Sequence, residues 1–120
     1  MGNTPVVIDR EELLDRFGGD TDFLNETAEL FKEDYPSLLE QIRTAIKTGD
    51  AGTLERAAHT LKNSVSNFGG VAVREVAYRL EAMGRAGNLQ LASQTRLELE
   101  TKIQEFATAL TTVVNEFCDN

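Results

Sequence analysis

The chain has 120 residues, 41% hydrophobic and 27% charged, with a formal net charge of −8 from 20 acidic and 12 basic residues. That length supports one domain over 1–120 whose core needs no metal or disulfide staple, and the single cysteine, Cys118, excludes an internal disulfide and fits a reducing, cytoplasmic setting. The acidic balance repels phosphate backbones and anionic lipid, so neither nucleic acid nor a membrane surface is an expected partner; no apolar run reaches the roughly 18 residues of a spanning helix, and the start shows no signal-peptide pattern.

Residues 1–8 read as a flexible lead-in, with a short apolar run from Val6 to Ile8. A first helix is expected from about Asp9 to Phe17, with Asp9 as its cap, Glu12 as the capping-box partner and Gly18-Gly19 as its stop. A second starts after Asp20 or Thr21 and ends near Thr48, with an apolar stripe of Phe23, Thr27, Leu30, Phe31, Tyr35, Leu38, Ile42, Ala45 and Ile46. Pro36 lies inside that stripe, and because the phase carries across it the segment reads as one kinked helix rather than two. Gly49-Asp50 is a stop followed by a cap.

A third helix follows from about Ala51 to Phe68, ended by Gly69-Gly70, and a fourth from about Val71 to Met83, burying Val73, Val76, Ala77 and Leu80. Gly84 to Asn88 reads as a loop. The last helix runs from about Leu89 to Phe117 on a stripe of Leu99, Ile103, Phe106, Leu110, Val113 and Phe117. The fold class is all-α: an antiparallel four-helix bundle with a short additional N-terminal helix. Leu13, Leu14 and Phe17 of that short helix either close the end of the bundle or offer an apolar docking surface.

The third helix carries the informative pattern. At about 100° per residue, Leu54, Ala57, Ala58, Leu61, Val65 and Phe68 fall within about 60° of one direction, the core face. His59, the only histidine, points about 160° away from Leu61. Arg56, Asn63 and Ser66 share its side, and Lys62 flanks them. Periodicity alone leaves His59 as an ordinary surface residue or as a phosphoryl acceptor. The second use needs a reachable imidazole that is neutral near neutral pH, with bases nearby to offset added negative charge: Lys62 and Arg56 as phosphoryl-stabilising residues. The short side chains of Asn63 and Ser66 leave room for a partner. One histidine and one cysteine make no metal site, and no Gly-rich nucleotide loop is present.

The run His59-Thr60-Leu61-Lys62-Asn63-Ser64-Val65-Ser66-Asn67-Phe68-Gly69-Gly70 resembles the signature of histidine-containing phosphotransfer (HPt) domains, roughly His-x-Leu-Lys-Gly-Ser-x-x-x-x-Gly. His59 matches the phosphorylated histidine, Leu61 the core leucine, Lys62 the basic residue that meets the phosphoryl group, and Ser64 and Gly69 the serine and the helix-ending glycine. Arg56, three residues before the histidine, and the stretch from Phe31 to Ile42 with Pro36 are also similar to the family's pattern. Asn63 departs from it, standing where the family usually has glycine.

The resemblance implies a phosphorelay intermediate. His59, through Nε2, would accept a phosphoryl group from a receiver-domain aspartate and pass it to a second receiver, with response-regulator receivers and a hybrid sensor histidine kinase as partners. It implies a monomeric phosphocarrier and not an autonomous enzyme, with no cofactor of its own and Mg²⁺ supplied by the receiver. The alternative is a non-phosphorylated helical adaptor using the same face. A sensor-kinase dimerisation helix pair is disfavoured, because Thr60-Leu61-Lys62 follows His59 where a Glu-x-x-Thr/Asn-Pro pattern is expected.

Overall fold

A computed structural model describes residues 8–118 of the chain. These form α1 (Arg10–Arg16), α2 (Thr21–Thr48), α3 (Ala51–Ser66), α4 (Val71–Ala86) and α5 (Ala92–Cys118), with no strand among the described residues. The expected lead-in lies outside them except for Ile8, which packs partly buried against the core.

Local chemistry starts and stops these helices where short polar side chains and glycines fall. Asp9, Asp20 and Asp50 each accept a hydrogen bond from the backbone N–H three residues on, satisfying a donor that the first helical turn leaves unpaired. Glu12 pairs with Arg16 at 3.3 Å. Gly49 closes α2 at φ +73°, in the left-handed region that an L side chain resists, and Asp50 then opens α3 directly.

α2 passes through Pro36 as a single helix, and Pro36 itself is exposed, so its missing N–H faces solvent. Its apolar stripe needs a correction. Leu24 and Ala28 are buried, whereas Phe23 and Leu30 are 53% and 59% exposed. Leu24 and Ala28 lie in helical phase with Phe31 and Ile42; Phe23 and Leu30 sit on the flank. Phe23 still finds a partner, laying its ring edge-on to Phe17 at 5.2 Å.

The four long helices contact one another in a ring, α2 with α3, α3 with α4, α4 with α5 and α5 with α2. Leu54, Leu61, Val65, Leu80, Leu99, Ile103 and Leu110 are fully buried between them. Each such side chain stabilises the fold by about 1.5–3 kcal/mol, so the bundle is held by its inner faces more than by helix propensity. At one end Phe31, Phe68 and Phe106 pack ring against ring, and α1 closes over them. Leu13 and Phe17 are buried, Phe17 stacks on Phe68 at 5.6 Å, and Arg16 donates to the Ser66 carbonyl at 3.3 Å. Of the two uses expected for Leu13, Leu14 and Phe17, closing the bundle is the one found for Leu13 and Phe17, while Leu14 stays only part-buried.

The second correction falls on Gly84. The loop expected from Gly84 to Asn88 begins only at Gly87, which caps α4 at φ +71°. Gly84 is buried inside the helix, where a Cβ would lie 2.6 Å from the Glu55 nitrogen and 2.7 Å from the Ala51 carbonyl oxygen. Gly84 therefore marks contact between the backbones of α3 and α4, not a break. α5 correspondingly starts at Ala92, after a turn in which the Asn88 side chain accepts from the Gln90 N–H at 3.3 Å.

Gly84→Ala is expected to cost about 3 kcal/mol, since backbone on both sides blocks relaxation. Gly52→Ala, where the added Cβ meets only side-chain ends, Arg56 at 3.4 Å and Asp50 at 3.8 Å, should be neutral or stabilising by up to about 1 kcal/mol. Urea denaturation of the two variants checks the contrast.

Candidate functional site

α3 presents the site because its opposite face is fully committed. Leu54, Ala57, Ala58, Leu61, Val65 and Phe68 are all buried, as their spacing predicts. This fixes the rotation of the helix and leaves the His59 side chain 52% exposed. Lys62 and Asn63, one turn on, lie on either side of the imidazole.

The imidazole does not stand alone. Glu81, from the adjoining α4, reaches across the α3–α4 seam and places Oε2 3.0 Å from His59 Nδ1. Its side chain is 4% exposed. Lys62 Nζ lies 2.7 Å from Glu81 Oε1, and Arg85 donates to Oε2 at 2.7 Å while also pairing with Glu55. Lys62 is further held over the Tyr78 ring, 5.4 Å from its centroid. Thus one buried carboxylate gathers an imidazole, an ammonium and a guanidinium.

The ionisation state of Glu81 follows from competing terms. Burial pushes its carboxyl upward, because removing a charge from water costs several kcal/mol. Hydrogen bonds from Lys62 and His59, together with their charges, pull the other way and prevail, holding it below the ordinary glutamate range. An ionised carboxylate only accepts, so His59 Nδ1 carries the proton and donates a hydrogen bond to Glu81. In the neutral ring the lone pair is then on Nε2, the nitrogen directed away from the seam. Asn63 Nδ2 lies 3.2 Å from that nitrogen.

The expected site residues divide. His59, Lys62 and Asn63 come together. The Arg56 guanidinium is directed back along the helix, donating to Thr53 Oγ1 at 3.2 Å. Ser66 turns its hydroxyl onto the Lys62 carbonyl at 2.8 Å, committing its donor to the helix. Glu81 was not singled out from sequence, although a signal was present: it follows Val73 and Ala77 at steps of four, placing a carboxylate on the edge of a buried stripe. No cluster of three or more metal-ligating side chains occurs among the described residues.

Because the folded-state pKa of Glu81 is lowered, its contribution to stability is complete above the ordinary glutamate value of about 4.3. It is lost as pH falls below that value toward the lower folded one. Glu81→Gln removes this component. The stability difference between wild type and Glu81→Gln in urea is therefore expected to be wider at pH 7 than at pH 3; an equal difference at both would show that Glu81 is not ionised in the fold.

The model of the Hpt domain matches residues 26–109, most of the chain and the whole of the site. A search of curated proteins gives no match. The crystal structure of histidine-containing phosphotransfer protein B (HptB) from Pseudomonas aeruginosa PAO1 superposes with a TM-score of 0.76 at 28% identity, covering 91% of this chain and 92% of that one. With a half-exposed helical histidine and a basic neighbour inside the matched region, the chain belongs to the Hpt-domain family and has a histidine phosphotransfer role in phosphorelay.

Proposed function

We propose that His59 is the phosphoryl acceptor and donor of this protein, acting through Nε2. The observation that carries this reading is the bond between His59 Nδ1 and the buried, ionised Glu81. It holds the proton on the seam side of the ring and leaves a lone pair on the exposed side.

In the forward step Nε2 attacks phosphorus in line. The Nε2–P bond forms, the P–O bond to the receiver's aspartate breaks, and the carboxylate leaves with that electron pair. Nδ1 keeps its proton, so the phosphorylated ring carries positive charge, and Glu81 lies 3.0 Å away to offset it. Lys62 can swing from Glu81 toward the new phosphoryl group without stranding a buried anion, because Arg85 remains on the same carboxylate. Arg56 adds positive potential from one turn away, and Asn63 and Ser66 form the rim that a partner approaches. Transfer to a second receiver reverses these bond changes.

In this reading the protein is an antiparallel four-helix bundle with α1 as a lid, a monomeric cytoplasmic carrier rather than an autonomous catalyst. Family membership implies response-regulator receiver domains as partners, with a hybrid sensor kinase upstream. Mg²⁺ belongs to the receiver, which holds the aspartate being relieved of its phosphoryl group, and the carrier uses no cofactor of its own. A half-exposed imidazole on a helix face suits an approaching protein better than a small substrate, which needs a cleft.

Incubation with a phosphorylated receiver and Mg²⁺ should place acid-labile phosphate on the wild type and none on His59→Gln. Lys62→Ala should slow transfer by about tenfold, as expected for loss of one charge-assisted contact to the transferring group. Absence of phosphate on the wild type alongside an active control carrier would refute the relay reading and leave the adaptor.

A further inference from the structure

Asn63 stands at the one position of the helical motif that departs from the family pattern, and it does more than border a docking surface. Its Nδ2 lies 3.2 Å from His59 Nε2. In the neutral ring, with Glu81 holding the proton on Nδ1, Nε2 presents only a lone pair, and the carboxamide meets it with an N–H; its oxygen would be repelled. The amide thus occupies the electron pair required for attack. Incoming phosphorus must approach the same nitrogen to about 3–3.5 Å along the same direction.

We infer that Asn63 guards the nucleophile, capping Nε2 in the resting protein and donating to the phosphoryl oxygens once Nε2 is phosphorylated. This rests on the reading of His59 as acceptor. Asn63 is exposed and belongs to the same helix one turn on, so rotation about its side-chain torsions withdraws the amide without moving backbone. After transfer Nε2 has no lone pair to offer, and the phosphoryl oxygens provide better acceptors at nearly the same place. A glycine there could play neither part. The expected consequence is a carrier that loads more slowly and holds its phosphoryl group longer than one lacking the amide.

The test uses phosphoramidate as donor, so that docking does not enter. Its P–N bond breaks with release of ammonia as the Nε2–P bond forms. Asn63→Ala should acquire phosphohistidine about threefold faster and, once the donor is removed, lose it about threefold faster, the scale set by one solvent-exposed hydrogen bond. The ¹⁵N resonance of His59 Nε2 in the unphosphorylated protein should shift in the variant, as it would not if Asn63 served only the helix. An unchanged loading rate, or an unchanged phosphohistidine lifetime, would overturn the proposal. The wild type in the same assay separates the two levels: phosphate on its His59 upholds the acceptor reading even if Asn63→Ala behaves identically, and its absence removes both.

Discussion

The close approach of α3 and α4 at Gly84 is the constraint on which the site depends. With no side chain at that position, the two backbones come within a distance that a single methyl group would fill. Glu81 lies on α4 less than one turn before Gly84, and His59 lies one turn beyond Glu55 on α3. Contact at the glycine therefore brings a short carboxylate side chain within 3.0 Å of the imidazole. A wider seam would admit water to Glu81 and weaken its bonds to His59 and Lys62. Packing and chemistry are thus set by one absent Cβ.

Charge at the site is balanced by pairing within a chain that is acidic overall. The chain carries −8 overall, yet around His59 one buried anion is ringed by Lys62 and Arg85, with Arg56 nearby. Lys62 and Arg85 there neutralise Glu81 and the neighbouring Glu55 within an otherwise acidic chain. Burial of Glu81 would destabilise it if it were unpaired. With several donors it becomes a rigid acceptor that orients the ring. The buried side of the imidazole is engaged by Glu81, and its exposed side meets the Asn63 amide.

The long apolar faces make this precision possible. α1 contributes by stacking Phe17 on Phe68 and bonding Arg16 to the end of α3, so the helix bearing His59 is secured at its C-terminus. At its start Asp50 caps it, and Gly49 turns the chain into that cap. Between these anchors, five buried residues fix the rotation of α3. The half-exposed histidine is accordingly held by rigid elements, as a group that must meet a partner in a defined geometry requires.

Much of this was legible in the amino-acid order. Helix existence, the aspartate caps, the core face of α3 and the outward direction of His59 all follow from 3.6-residue periodicity and short-range hydrogen bonding, and both act within a few residues of chain. The α2 stripe differs at Phe23 and Leu30, which border the buried phase that Leu24 and Ala28 share with Phe31. Gly84 was read as a stop because, locally, glycine favours turns; that it instead admits a neighbouring backbone depends on which helix packs there. Glu81 escaped notice for the same reason, since its partners lie on another helix. By itself the sequence determined an all-helical chain with one outward-facing histidine in a family motif. The tertiary structure decided which nitrogen of that histidine holds the proton, because that depends on a carboxylate 22 residues away in sequence and 3.0 Å away in space.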